Sequence, residues 1–251
     1  MGQNRWVQPV TDAPASSLTN SVPPLPSIEV VYRTDPDALA AVLPPPLQPP
    51  AEPRVHVRIT DIDLTFGEYR HKELVAYFAV DAVHDGDLGE YPLLIPIDLE
   101  GAIAISRERF GEPKKLADIE LVRDGRHVEG RVTRHGVTFI EIVGDVVESL
   151  PVPAPYPARQ FWIKFLPAVS GTGFDAGPFL TRLEQVRSPQ SIERIDGKLE
   201  LRDVATAPVV DLPVLEVESM SWVVRSSENT PTLVGQIDGD AFAPFAPIRY
   251  S

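Results

Sequence analysis

Two adjacent lysines, Lys114 and Lys115, close the stretch Arg107-Glu108-Arg109-Phe110-Gly111-Glu112-Pro113-Lys114-Lys115-Leu116-Ala117. An amine beside a second cation is equipped for carbonyl chemistry, because loss of its proton makes it a nucleophile. The reference pKa of lysine is ~10.4, so at neutral pH about one lysine in a few thousand is the free amine. A neighbouring ammonium and an apolar wall both disfavour the charged form and can lower the pKa by several units. A shift of ~4 units corresponds to roughly 5 kcal/mol, so the fold has to keep the pair out of bulk water.

The flanking residues indicate how the pair is positioned. Gly101 to Ser106 is an apolar, helix-patterned run, Gly111 suits its C-terminal cap, and Pro113 forbids the helix from continuing. The lysines are therefore presented at a fixed helix exit, ahead of a strand expected to begin near Asp118.

The segment Ser106-Arg107-Glu108 … Pro113-Lys114-Lys115-Leu116 resembles the active-site signature of the acetoacetate decarboxylase superfamily. Three more blocks match in order: Val30-Val31-Tyr32-Arg33-Thr34-Asp35-Pro36-Asp37-Ala38-Leu39, Trp162-Ile163-Lys164-Phe165-Leu166-Pro167, and Ala207-Pro208 … Asp211-Leu212-Pro213-Val214. That family is the standard example of a lysine activated by a neighbouring cation, so the rationale is the family's own. The resemblance implies that Lys114 is the nucleophile and Lys115 the charged neighbour. It implies a Schiff-base enzyme acting on a small oxo acid, by default a decarboxylase, needing no cofactor and assembling as a homo-oligomer.

The family's pocket also holds two glutamates on the strands before the signature. The first aligns with Arg58, a reversal of charge. The second falls on His71 without a gap, or on Glu73 after a two-residue shift, and on a strand these two would share a face. Glu73 keeps the carboxylate and is preferred there, as a proton shuttle or a pocket-shaping acid, with Arg58 and His71 contacting substrate. Arg58 has an alternative as an outward-facing strand residue, and an N-terminal arginine of the classical enzymes falls near Leu25. These departures keep two alternatives open: a Schiff-base aldolase, dehydratase or cyclase, and a non-catalytic barrel that binds a small ligand.

Composition narrows the classes. The chain of 251 residues carries a net charge of −13, which disfavours a nucleic-acid partner. It has no cysteine, which excludes disulfides and thiolate chemistry, and no two of its five histidines show metal-ligand spacing with a carboxylate. No apolar run approaches the ~18 residues that span a bilayer, and the N-terminus lacks a signal-like core, so a cytoplasmic protein is expected.

Twenty-seven prolines argue for strands and loops over long helices. Residues 1–26 read as a Pro-rich, poorly ordered leader, and residues 27–251 as one domain. Asp35 and Pro36 open a short helix as N-cap and first residue. The apolar parity of Val55, Val57 and Ile59 switches to Ile62 and Leu64, which suggests a bulge near Thr60-Asp61. Asp124-Gly125 and Asp196-Gly197 read as hairpin turns. Leu180–Arg187, Lys198–Asp203, Val214–Arg225 and Thr232–Ile237 read as separate strands. The expected class is a β-dominated α+β fold, with antiparallel strands in a cone-like barrel or curved sheets and two or three short helices.

Overall fold

The computed structural model describes residues 20–66 and 69–250, without the side chains of residues 64–71. In chain order the elements are β1 (Asn20–Arg33), α1 (Pro36–Ala41), β2 (Arg54–Phe66), β3 (Tyr69–His84), β4 (Asp87–Ile97), α2 (Glu100–Phe110) and β5 (Lys114–Leu116). Then follow β6 (Asp118–Asp124), β7 (His127–Arg134), β8 (Val137–Leu150), β9 (Tyr156–Pro167), β10 (Phe174–Leu201), β11 (Glu216–Gln236) and α3 (Gly239–Phe242). The β-dominated α+β class with short helices is as expected. Among the described residues no helix is long and apolar enough to cross a membrane.

All eleven strands belong to one sheet. The order β11-β1-β2-β3-β4-β9-β10 closes on itself because β10 pairs back onto β11, making a ring. The far half of β10 leaves the ring and pairs with β8, which continues as the meander β8-β7-β6. That meander covers one face of the ring. Gly130 on β7 makes the contact close, since a Cβ there would lie 2.8 Å from Ile59 and 3.1 Å from Ile28. The main core, including Ile28, Val30, Val57, Ile59, Phe78, Val80, Val128, Val132 and Ile140, fills this interface. The opposite face of β1–β4 is the inside of the ring, and it carries the polar side chains described below.

Several expectations need correction. β1 begins at Asn20, so residues 20–26 belong to a strand; residues 1–19 lie outside the described residues. The prolines fit because Pro23 and Pro24 fall in a register shift, and Pro26 pairs with β11 before β2 joins at Ser27. No bulge occurs at Thr60-Asp61, where β2 and β3 pair in unbroken register. The parity changes because β1 stops accompanying β2 at Thr60, so the outer hairpin loses its core partner and Ile62 faces inward instead. Asp196-Gly197 is no turn but lies inside β10, where Gly197 pairs with Gly144. A Cβ on Gly144 would sit 2.6 Å from the Asp196 carbonyl, so close backbone approach explains the glycines. The four late strands are two: β10 has 28 residues and β11 has 21, with Pro189 accommodated at a bulge.

Candidate active site

The lysine pair is held by a helix end fixed from three sides. Gly111 caps α2 in the left-handed conformation (φ 84°), its N–H donating to the carbonyls of Arg107 and Ser106. A Cβ there would lie 2.6 Å from the backbone of Ile163 and Lys164, so only glycine lets α2 press onto β9. Thr181 Oγ1 donates to the Phe110 carbonyl (2.8 Å), and Arg249 Nη1 to the Gly111 carbonyl (2.7 Å). Lys114 then enters β5, which lies parallel to β4 with Lys114 opposite Ile95 and Lys115 opposite Pro96.

Successive residues of a strand point to opposite faces, and this separates the two amines. The pairings Val75↔Ile97 and Phe78↔Leu94 set Ile95 beside Tyr77, and Tyr77 pairs with Arg58. Lys114 therefore shares the inner face with Ile95, Tyr77 and Arg58. Its Nζ lies 3.4 Å from Glu112 Oε2, with the two side chains 11% and 16% exposed. Burial pushes the Glu112 carboxyl up from its ordinary value against the pull of Lys114, and the nearby Glu73 adds to the rise. Glu73, itself buried, thus completes a group of one amine and two carboxyls.

Lys115 points the other way. Its Nζ donates to the carbonyls of Thr206 (2.8 Å) and Ile248 (2.6 Å), at the wall of an apolar cavity of about 200 Å³ shared with Phe78, Leu94, Leu212 and Phe245. Burial lowers its pKa to about 8, assisted by Arg134, Arg107 and Arg249. The expectation that Lys115 lies beside Lys114 as a charged neighbour is not what the strand geometry provides: its immediate cations are arginines, and its carbonyl ligands sit on the far side of β5.

One consequence is a stability trend with pH. The unfolded chain holds the Lys115 proton more tightly, so between about pH 8 and 10.5 it binds more protons than the folded chain, and stability rises with pH. The gain is on the order of 1–3 kcal/mol, reduced by solvent screening and by the two carbonyl acceptors. Urea midpoints at pH 8 and pH 10 should show this rise in the wild type, and Lys115→Met should lack it.

Arg58 faces inward, so the outward alternative is set aside. It is buried, its guanidinium lies 4.2 Å from the Tyr77 ring centroid, and Nη1 donates to Glu90 Oε1 at 3.1 Å while Nη2 pairs with Oε2. Arg187 Nη1 donates to the same Glu90 Oε1 (3.0 Å) and its Nη2 to Gln185 (2.9 Å). Burial opposes ionisation of Glu90, yet Arg187 and Arg58 hold its carboxyl well below the ordinary range. Alongside, Arg225 Nη1 meets Glu29 Oε1 at 2.6 Å; Glu29, despite burial, is drawn down to about 2 by Arg225 and Arg58. The side chain of His71 lies outside the described residues.

Sequence reasoning passed over Glu112, although it sits two residues before Lys114, the spacing that puts both on one face of extended chain. It also passed over Glu90, Arg187, Glu29 and Arg225. Their partners are 32 and 97 residues apart for Glu90, a separation that no local pattern announces. Among the described residues no cluster of three or more His, Cys, Asp or Glu could hold a metal ion.

The family profile described as acetoacetate decarboxylase matches residues 8–234. The chain belongs to the acetoacetate decarboxylase family. A protein named acetoacetate decarboxylase from Burkholderia vietnamiensis is 32% identical over 205 residues, covering 78% of this chain and 79% of its own. The acetoacetate decarboxylase of Legionella pneumophila superposes with a TM-score of 0.73 at 22% identity, over 87% of this chain and 86% of that one. The enduracididine biosynthesis enzyme MppR, complexed with the condensation product of pyruvate and imidazole 4-carboxaldehyde, superposes with a TM-score of 0.69 at 19% identity, over 95% and 99%. The protein is accordingly an acetoacetate decarboxylase-like enzyme, a lyase.

Proposed function

We propose that this family member is a Schiff-base decarboxylase of a small oxo acid, with Lys114 as its nucleophile. The observation that carries the reading is the near-buried Lys114 amine, 3.4 Å from a carboxyl whose proton affinity is raised by burial. The amine attacks the ketone carbon, and the hydroxyl of the resulting carbinolamine leaves as water once protonated, giving an iminium ion. The bond to the carboxylate then breaks, its electron pair passes into the enamine, and carbon dioxide departs. A proton delivered to the enamine carbon and hydrolysis of the imine release product and the free amine. Glu112, inclined to hold a proton, suits the donor role, and Glu73 suits the acceptor.

A second reading, aldol or dehydration chemistry on the same iminium, draws on Arg58 and on the condensation product that MppR carries. A cation beside the departing carboxylate would hinder decarboxylation. Arg58, however, gives both Nη atoms to Glu90, which supports decarboxylation as the first reading. The proposal includes a cytoplasmic homo-oligomer, as the family resemblance implies.

Borohydride trapping with candidate oxo acids, with the modified peptide mapped by mass, tests the nucleophile. Carbon dioxide release from acetoacetate, compared with exchange of an α-proton into deuterated water, tests the bond that breaks. An adduct on Lys114 with carbon dioxide release supports the proposal. Exchange without release favours the second reading. No adduct on any lysine overturns both.

A further inference from the structure

Inside the ring, a cavity of about 240 Å³ is lined from six ring strands: β1, β2, β3, β9, β10 and β11. Among the described residues its charged lining is of one sign. Arg58, Arg187 and Arg225 all border it, and the remaining lining is apolar or neutral, including Tyr77, Gln185 and Asn229. Two carboxylates, Glu29 and Glu90, engage these guanidinium groups from behind. Among the described residues in direct contact here, three cations meet two anions and leave one positive charge in excess, with the His56–Asp81 pair (2.8 Å) lying beyond Glu90. A buried charge without an equal partner is costly, so such a group is completed by an anion that enters the cavity.

The place of the cavity constrains that anion. Lys114 and Arg58 share the inner face, separated by β4 and β3. Three interstrand steps of about 4.8 Å put their backbones roughly 14 Å apart. The carboxylate of acetoacetate is attached to the carbon next to the ketone and leaves in the reaction. It cannot be bound to the amine's electrophile and anchored at remote arginines together. A retained carboxylate on the other side of the ketone, a few carbons away, can be. Resting on the proposed Lys114 chemistry, we infer that this cavity seats a second, non-reacting carboxylate, so that the substrate is a β-oxo dicarboxylate. Arg58 and Arg187 already turn their forks to Glu90. The entering carboxylate is therefore received chiefly at Arg225, whose planar guanidinium can pair with carboxylate oxygens two at a time, with the other two adding charge.

The test uses ligands without a ketone, so that it does not depend on the amine. Adipate and its neutral diamide, adipamide, are titrated calorimetrically into the purified protein. Adipate is expected to bind at least tenfold more tightly than adipamide. Asn229→Asp adds an acid at the cavity wall and spares the fold, because the Gln185 Nε2 donor (2.9 Å) is accepted equally by an aspartate oxygen. It should weaken adipate at least tenfold, as should Arg225→Gln, whereas Arg225→Lys should retain part of the affinity. Equal binding of adipate and the neutral diamide, or adipate binding unchanged in Asn229→Asp, overturns the inference. The reacting counterpart is borohydride trapping of 3-oxoadipate against acetoacetate. Equal trapping of both at Lys114 keeps the decarboxylase and removes the dicarboxylate. Adipate binding with no adduct on any lysine keeps the anion site and removes the Schiff-base reading.

Discussion

Lys114→Met is expected to abolish both borohydride trapping and turnover, with kcat falling roughly 10⁴- to 10⁶-fold, the scale on which enzymes lose activity with their nucleophile. Lys114→Arg should be as inactive, since a guanidinium does not give up its proton to become a nucleophile. Neither change should unfold the protein. The amine pairs with Glu112, and that carboxyl, already inclined to hold a proton, becomes neutral more readily once the cation is gone. Thermal melts beside the activity assay check this. The instructive competitor is Lys115, whose pKa is lowered to about 8 and which opens on an apolar cavity of its own. An adduct that persists in Lys114→Met and maps to Lys115 would reverse the assignment of the two amines. That outcome would also move the reaction to the other side of β5.

The lysine pair and its support were legible because they are local. A helix, a left-handed glycine cap, a proline stop and two lysines occupy the sixteen consecutive residues from Glu100 to Lys115, and the helix ends at its glycine and proline as the sequence suggested. Asp35 is likewise the expected N-cap, its carboxylate accepting from the backbone N–H groups of Asp37 and Ala38. The face each lysine takes was not legible, because it depends on β5 pairing with β4, a contact set by the sheet and not by the motif. Asp196-Gly197 misled for a related reason. The pair has turn chemistry, yet Gly197 serves a close approach to Gly144, more than fifty residues away in sequence. Arg58 could be placed only by seeing Glu90 and Arg187 arrive from other strands.

That buried cluster leads to the second large effect. Glu90→Gln removes the one carboxylate that Arg58 and Arg187 share, leaving two guanidinium groups facing a neutral amide. Breaking a buried pair by removing one partner costs about 3–5 kcal/mol, because the remaining charge is uncompensated. In a protein of this size that lowers Tm by roughly 6–20 °C. The double variant Glu90→Gln/Arg187→Gln should recover part of the loss, since it removes one of the two stranded cations. The pH dependence has a definite sign. Glu90 is held well below its ordinary value, so its stabilising contribution is complete above the unfolded carboxyl pKa of about 4.5 and declines as the pH falls below it. Wild type and Glu90→Gln should therefore differ most near neutrality and converge in acid. The same substitution releases Arg58 and Arg187 toward the cavity, so adipate should bind the weakened variant more tightly and raise its Tm by more than that of the wild type. A variant as stable as wild type at pH 7 would mean that solvent reaches the arginines, and the excess charge assigned to the cavity would lose its cost.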